Sequence, residues 1–177
     1  MPVFARTGCG ARAGKLRAPP VVCVLGAPAS GLPIARRIGA RLPVLCFDTG
    51  RSHAPGGRAH AGRLRPARPL RQLAGADVYV IAIDRKRFDN AIGTVSLVLA
   101  LGDIIVFATP ARMRRRDGRA VDYIEATVGL RCNRDFYVAR CTARGCCLHG
   151  ARGTPTMVAR YLQGLRGLPC APRHHHA

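Results

Sequence analysis

The 177-residue sequence has no tryptophan, one glutamate (Glu125) and two lysines, Lys15 and Lys86. Its acids number 9 against 29 basic residues, so the positive charge is almost all arginine and the formal net charge is +20. So few acids exclude a surface of balanced ion pairs and point to polyanionic partners, nucleic acid first. A GC-rich coding bias also explains arginine in place of lysine, but it does not explain the shortage of Asp and Glu. No membrane-spanning run is present: the longest apolar stretch, 92–108, is broken by Gly102-Asp103. The first 20 residues have no apolar segment of the secretory kind. They are Arg-rich and acid-free, as mitochondrial presequences are, but they lack an amphipathic period. Aromatic residues make up 5% and do not interleave with the basic runs. Nucleic-acid contact is therefore expected at the backbone, indifferent to sequence and sensitive to salt, without base stacking.

What is present suffices for one domain. Apolar residues reach 48%, which argues against global disorder. Eight cysteines without a secretory signal predict thiols in a reducing compartment. Cys23 and Cys46 lie in predicted strands as small buried hydrophobes.

The pattern predicts a basic arm over 1–19, an α/β domain over 20–140 and a Cys-rich, weakly helical extension over 141–177. Strands are predicted at 20–25, 44–47, 77–83 and 103–108. Helices are predicted at 32–41, briefly at 70–73, from Asp89 or Asn90 to Leu101, and over 119–139. Pro33 suits a first helical turn, and Gly102 a helix stop. Val121, Ile124, Val128, Cys132 and Phe136 mark one stripe of the last, long helix. The expected fold is α/β, with a mainly parallel sheet of about four strands flanked by helices and a long helix after the sheet.

The sharpest local feature is Asp84-Arg85-Lys86-Arg87-Phe88, a charged cluster where an apolar strand ends. Open α/β sheets keep their sites at such ends. This pentapeptide resembles the Asp-Arg-Leu-x-Arg motif of serine recombinases without its last Arg. Ser30 in the first loop, Gly102 before the next strand and the long helix extend the resemblance over roughly 20–140. In that family a serine attacks a DNA phosphate, and several guanidiniums stabilise the transition state. Pro28 and Phe88 stand where two of those arginines are needed. Ser30, Asp84 and Arg85 would then be vestigial catalytic residues. The chain resembles the poxviral group of decayed serine recombinases: resolvase-like, not an enzyme, without cofactor, in the host nucleus or nucleolus and cytoplasm. That resemblance implies partners among nucleic acids or host nuclear and nucleolar factors, no membrane, and a homodimer through Val121, Ile124, Val128 and Phe136.

The basic segments supply the expected nucleic-acid contacts: Arg51, Arg58, Arg63 and Arg65 in the 48–70 connection, and Arg112, Arg114, Arg115 and Arg116 after the fourth strand. Three readings stand beside these. The first is a residual recombinase or nuclease using Ser30, Asp84 and Arg85. The second is a decayed P-loop, because Gly26-Ala27-Pro28-Ala29-Ser30-Gly31 satisfies G-x-x-x-x-G. Leu32 and Pro33 then replace the required Lys and Ser or Thr. The third is a pure protein-interaction factor. Cys141, Cys146 and His149, with Cys132, have near-ligand spacing for zinc, but no C-x-x-C pair is present and thiols without metal are the expectation.

Overall fold

A computed structural model of the chain describes residues 19–26, 31–47, 64–66, 70–109, 113–142 and 145–148. The apolar segments become β1 (Val22–Leu25), α1 (Gly31–Gly39), β2 (Val44–Phe47), β3 (Leu64–Pro66), α2 (Leu70–Leu73), β4 (Val78–Ile81), α3 (Phe88–Val98), β5 (Ile104–Phe107), α4 (Arg114–Val128), β6 (Tyr137–Thr142) and β7 (Gly145–Leu148). One sheet orders its strands β3-β2-β1-β4-β5-β6-β7. Five parallel strands, β2-β1-β4-β5-β6, carry the helices. A short parallel β3 extends one edge, and β7, antiparallel to β6, extends the other.

Every residue of β1, β4 and β5 is buried, so these strands lie between two covered faces. Their alternating side chains divide the core in two. On one face Cys23, Leu25, Tyr79, Ile81, Ile105 and Phe107 pack with Phe88, Ile92 and Val95 of α3 and Ile124 of α4. On the other, Val22, Val24, Val44, Val78, Val80, Ile104 and Val106 pack with Ile34, Ala35 and Ile38 of α1.

The handedness rule explains this division. From β1 the chain steps outward to β2 and β3, then returns to β4 on the opposite side of β1 and steps outward again to β5 and β6. Parallel crossovers are right-handed, so reversing the direction of travel moves the helices to the opposite face. In open α/β sheets such a reversal places a crevice at the carboxyl ends of the two strands that flank it, here β1 and β4.

The amino edge of the sheet is tied by acids. The Val21 N–H donates to Asp77 Oδ2 at 2.9 Å, and the Ala100 N–H donates to Asp103 Oδ2 at 2.8 Å. The Tyr79 hydroxyl donates to the Leu73 carbonyl at 2.8 Å, fixing α2 against β4.

Three expectations are corrected here. The sheet has seven strands rather than about four. The long helix over 119–139 does not exist: α4 begins at Arg114, ahead of the expected start, and ends at Val128. Gly129 follows at φ 75°, a left-handed cap whose N–H bonds back to the Glu125 carbonyl at 3.0 Å. A turn through Asn133, at φ 64°, then feeds β6. Cys132 and Phe136 bridge across that turn instead of continuing a helical stripe. The helix after β4 is also shifted, starting at Phe88, so Asp89 lies within its first turn and does not cap it. The predicted basic arm, except its last residue Pro19, lies outside the described residues, as does the predicted 141–177 extension apart from 141–142 and 145–148.

Candidate functional site

Two glycines bring three elements together at the carboxyl end of the crevice. A Cβ on Gly26 would lie 2.3 Å from the Ala82 carbonyl oxygen and 3.2 Å from the Gly31 Cα. A Cβ on Gly31 would lie 3.2 Å from the Gly26 Cα and 3.4 Å from Val24 Cγ1. The ends of β1 and β4 can meet this closely only without a side chain at Gly26, and a methyl group at Gly31 would crowd the start of α1 against Gly26 and Val24. The Gly26 N–H donates to the Phe47 carbonyl at 3.2 Å, and the Ala82 N–H donates to the Leu25 carbonyl at 2.8 Å. These are two of the roles filled by the first and third glycines of G-x-G-x-x-G, the tight turn and the close helix–strand packing. In this sequence the motif reads Gly26-x-Pro28-x-x-Gly31, with proline at the second glycine. Asp48 directly follows β2 in sequence, where a dinucleotide-binding sheet uses an acid. Residues 27–30 and 48–50 lie outside the described residues, so Pro28, Ser30 and Asp48 are placed by sequence alone.

The Asp84-Arg85 pair serves a different end from the one its motif suggested. Asp84 Oδ1 accepts the N–H groups of Lys86 at 3.0 Å and Arg87 at 3.2 Å, closing a turn on itself. Phe88 is 1% exposed, with its ring centroid 6.0 Å from that of Phe107. It stands in the core as the first residue of α3, which gives it a packing role. The Arg85 side chain is exposed and faces the start of α4 across a cleft lined also by Met113, Arg115, Arg116 and Arg119.

Arg116 joins the two loops of this edge. Its Nη1 donates to the Arg85 carbonyl at 2.9 Å, its Nη2 meets Asp89 Oδ2 at 3.4 Å, and its guanidinium lies 6.0 Å from the Phe88 ring centroid. Of the expected nucleic-acid contacts, the structure brings only Arg115 and Arg116 to one place. Arg51, Arg58, Arg63 and Arg112 lie outside the described residues, as do the side chains of Arg65 and Arg114.

A buried ionic cluster was not expected from sequence. Asp117, 1% exposed, forms an ion pair with Arg140 of β6. The Thr109 hydroxyl donates to the same carboxylate at 3.2 and 3.3 Å, and Arg140 Nη1 donates to Thr109 Oγ1 at 3.5 Å. The cluster ties the segment after β5 and the first turn of α4 to β6. The only available signal was an acid in a helical first turn, and the expected helix began two residues too late to show it.

The cysteines near the core are poor nucleophiles. Burial, and then the neighbouring Cys46, push the Cys23 thiol far up; burial also raises Cys46 and Cys132. Among the described residues, no three His, Cys, Asp or Glu side chains gather to hold a metal. Cys141 is buried in β6 and pairs in register with Cys146 of β7, while His149 lies outside the described residues.

The proposed dimer stripe points into the protomer's own core. Ile124 and Phe136 are fully buried, and Val121 and Val128 pack against the same cluster.

No protein-family model matches the chain, and no curated protein matches it. Solved structures do. The UDP-D-ManNAc dehydrogenase of Pyrococcus horikoshii aligns with a TM-score of 0.57 at 24% identity, over 68% of this chain and 35% of that one. The NDP-N-acetyl-D-galactosaminuronic acid dehydrogenase of Methanosarcina mazei Go1 aligns with a TM-score of 0.62 at 16% identity, over 84% of this chain and 42% of that one. The UDP-N-acetyl-mannosamine dehydrogenase of Staphylococcus aureus gives 0.57 at 16%, over 83% and 45%. The fold is Rossmann-like. The chain spans less than half the length of these enzymes.

This likeness overturns the serine-recombinase resemblance and the poxviral assignment that came with it. The inactive-recombinase function, its residual-nuclease variant and the P-loop reading fall with it. The element order had suggested a resolvase. The long helix of that resemblance is absent, because α4 ends at Val128.

Proposed function

We propose that this chain is a dinucleotide-binding module of the dehydrogenase type, holding the cofactor across the crevice between β1 and β4. The observation that carries the reading is the Gly26–Gly31 contact at the point where the strand order reverses. Ligands of open α/β sheets bind outside the carboxyl ends of the strands at such a point.

The residues fit such a group in three respects and depart in one. Gly26 and Gly31 supply the tight turn and the close helix approach. Gly31 opens α1, whose N-terminal dipole favours a pyrophosphate. Asp48 follows β2 in sequence, suited to hydrogen-bond an adenosine ribose and to repel a 2′-phosphate. Pro28 is the departure: as a proline it offers no N–H to the phosphates, which favours weaker binding than an intact motif gives. A nicotinamide cofactor bound here would supply a hydride acceptor. The contribution of this chain would be to bind and orient it. The reading is confined to cofactor binding, because the matching segment covers only 35–45% of the sugar-nucleotide dehydrogenases named above.

Isothermal titration of the full chain with NAD⁺ and NADP⁺ tests this reading. Saturable 1:1 binding of NAD⁺ is expected, with NADP⁺ weaker. Asp48→Asn should weaken NAD⁺ by about tenfold, the loss of one charge-assisted hydrogen bond, and narrow the gap to NADP⁺. Absence of heat with either dinucleotide at millimolar concentration would sink the proposal.

A further inference from the structure

Beyond the dinucleotide crevice, the same edge of the sheet carries a second concavity in two joined parts. The first is a cleft of about 400 Å³ between the β4–α3 loop and the start of α4, lined by Arg85, Met113, Arg115, Arg116 and Arg119. The second, about 460 Å³, continues along α3 and α4 and shares Arg116 and Arg119 with the first. Its other walls include Phe88, Ile92 and Tyr123, the last 52% exposed.

The first part is lined by four guanidiniums, of which only Arg116 meets an acid, Asp89, among the described residues. Arg85, Arg115 and Arg119 have no acidic partner among the described residues. The acids nearby are engaged elsewhere: Asp84 closes its own turn, Asp89 meets Arg116, and Asp117 is buried against Arg140. The cap residue of α4, Met113, offers no side-chain acceptor to the first-turn N–H groups, so the positive end of the helix dipole adds to the same field. Arg116 bonds the Arg85 carbonyl, lies over the Phe88 ring and lines both parts. Like charges gathered in one cleft repel unless an anion joins them, and guanidiniums match phosphate oxygens two at a time. Next to this cluster an exposed tyrosine offers a flat apolar face. A cation cluster joined to an aromatic wall, at the size of a small-ligand site, fits a phosphorylated molecule with a planar body.

We propose that this double cleft binds a nucleoside diphosphate, with its diphosphate on Arg85, Arg115 and Arg119 and its base against Tyr123. The site is distinct from the dinucleotide crevice and does not depend on it. In the strand order it lies beyond β4, whereas the glycine loop follows β1.

Titration calorimetry of the full chain at physiological salt, saturated with NAD⁺, tests the proposal with UDP, inorganic diphosphate and a short DNA duplex as probes. UDP is expected to bind, roughly tenfold more tightly than diphosphate alone because of base stacking. Arg85→Gln with Arg119→Gln should weaken both small probes at least tenfold. Tyr123→Ala should erase the advantage of UDP over diphosphate. As a charge control, Arg36→Gln with Arg37→Gln removes two exposed arginines from α1 and should change neither. An equal loss in that control would overturn the proposal, because the binding would then follow net charge. Competition between UDP and NAD⁺ would overturn it in favour of a single site. Duplex binding that depends on Arg85 and Arg119 without UDP binding would overturn it in favour of a nucleic-acid surface. If NAD⁺ itself does not bind, the UDP titration without NAD⁺ decides the proposal alone, so the two readings fail separately.

Discussion

Gly26 shows how one missing side chain sets the geometry of the candidate site. Gly26→Ala would drive a methyl group into the Ala82 carbonyl, a backbone atom that cannot rotate away. The expected cost is about 1–3 kcal/mol or more, read as a lower denaturant midpoint with unchanged slope. Arg140 makes a complementary case. Replacing it with Met leaves the Asp117 carboxylate buried without its ion, at a cost of about 3–5 kcal/mol. Adding Asp117→Leu should restore part of the loss, because it removes the buried charge while taking away the acceptor of the Thr109 hydroxyl; chemical denaturation of the four variants measures the coupling. Cys23 gives a pH signature. Its thiol is held protonated in the fold by burial, whereas the unfolded chain releases that proton near the ordinary value of 9.0. The unfolded state therefore binds fewer protons above that pH, and stability should fall as pH rises past about 9. Cys46 and Cys132 act in the same direction. Cys23→Ala should flatten the decline; an unchanged slope would show that the thiol is not shielded as the fold places it. At this scale the sequence was misleading about Phe88. A phenylalanine beside three charges reads as a lost cation, and only its contact with Phe107 shows that it opens a helix from the core.

The elements were legible where residue chemistry is local and obscure where it depends on a turn. Val78–Ile81 and Ile104–Phe107 read as doubly buried strands from composition alone, and the structure buries every residue of both. The end of α4 was not legible, because Val121, Ile124, Val128, Cys132 and Phe136 keep a helical spacing across a helix, a turn and a bridge. Gly129 and Asn133, both at positive φ, end the periodicity physically, but neither interrupts it in the sequence. Gly129→Ala should cost about 1 kcal/mol, since alanine is strained at φ 75°. A calorimetric scan showing no change would mean that α4 does not end in this left-handed cap. The segment after α4 is apolar enough for a strand, with Val138, Ala139 and Cys141 buried, yet the expected helix had already claimed part of it.

For the whole molecule, element order and strand order carry different information. The sequence yields the order of strands and helices, and that order fits more than one α/β fold. The position of β4 beside β1 is set by long-range packing, which element order alone does not reveal, and it makes the sheet doubly wound. The candidate site was partly legible for the same reason. Gly26 and Gly31 were visible as a small-residue loop, but the approach of Gly26 to Ala82 needs β4 to be the neighbour of β1. Charge is also distributed at this scale. Asp77 and Asp103 bond backbone at the amino edge, while Arg85, Arg115, Arg116 and Arg119 gather beyond the carboxyl ends of β4 and β5. The most direct measurement is amide hydrogen exchange on the full chain with and without NAD⁺. The account predicts added protection at Leu25, Gly26 and Gly31 and at Ile81–Ile83, with Asp77 and Asp103 at the opposite edge unchanged. Binding without protection at the β1 and β4 ends, or protection centred on the amino edge, would contradict a dinucleotide held at the switch point.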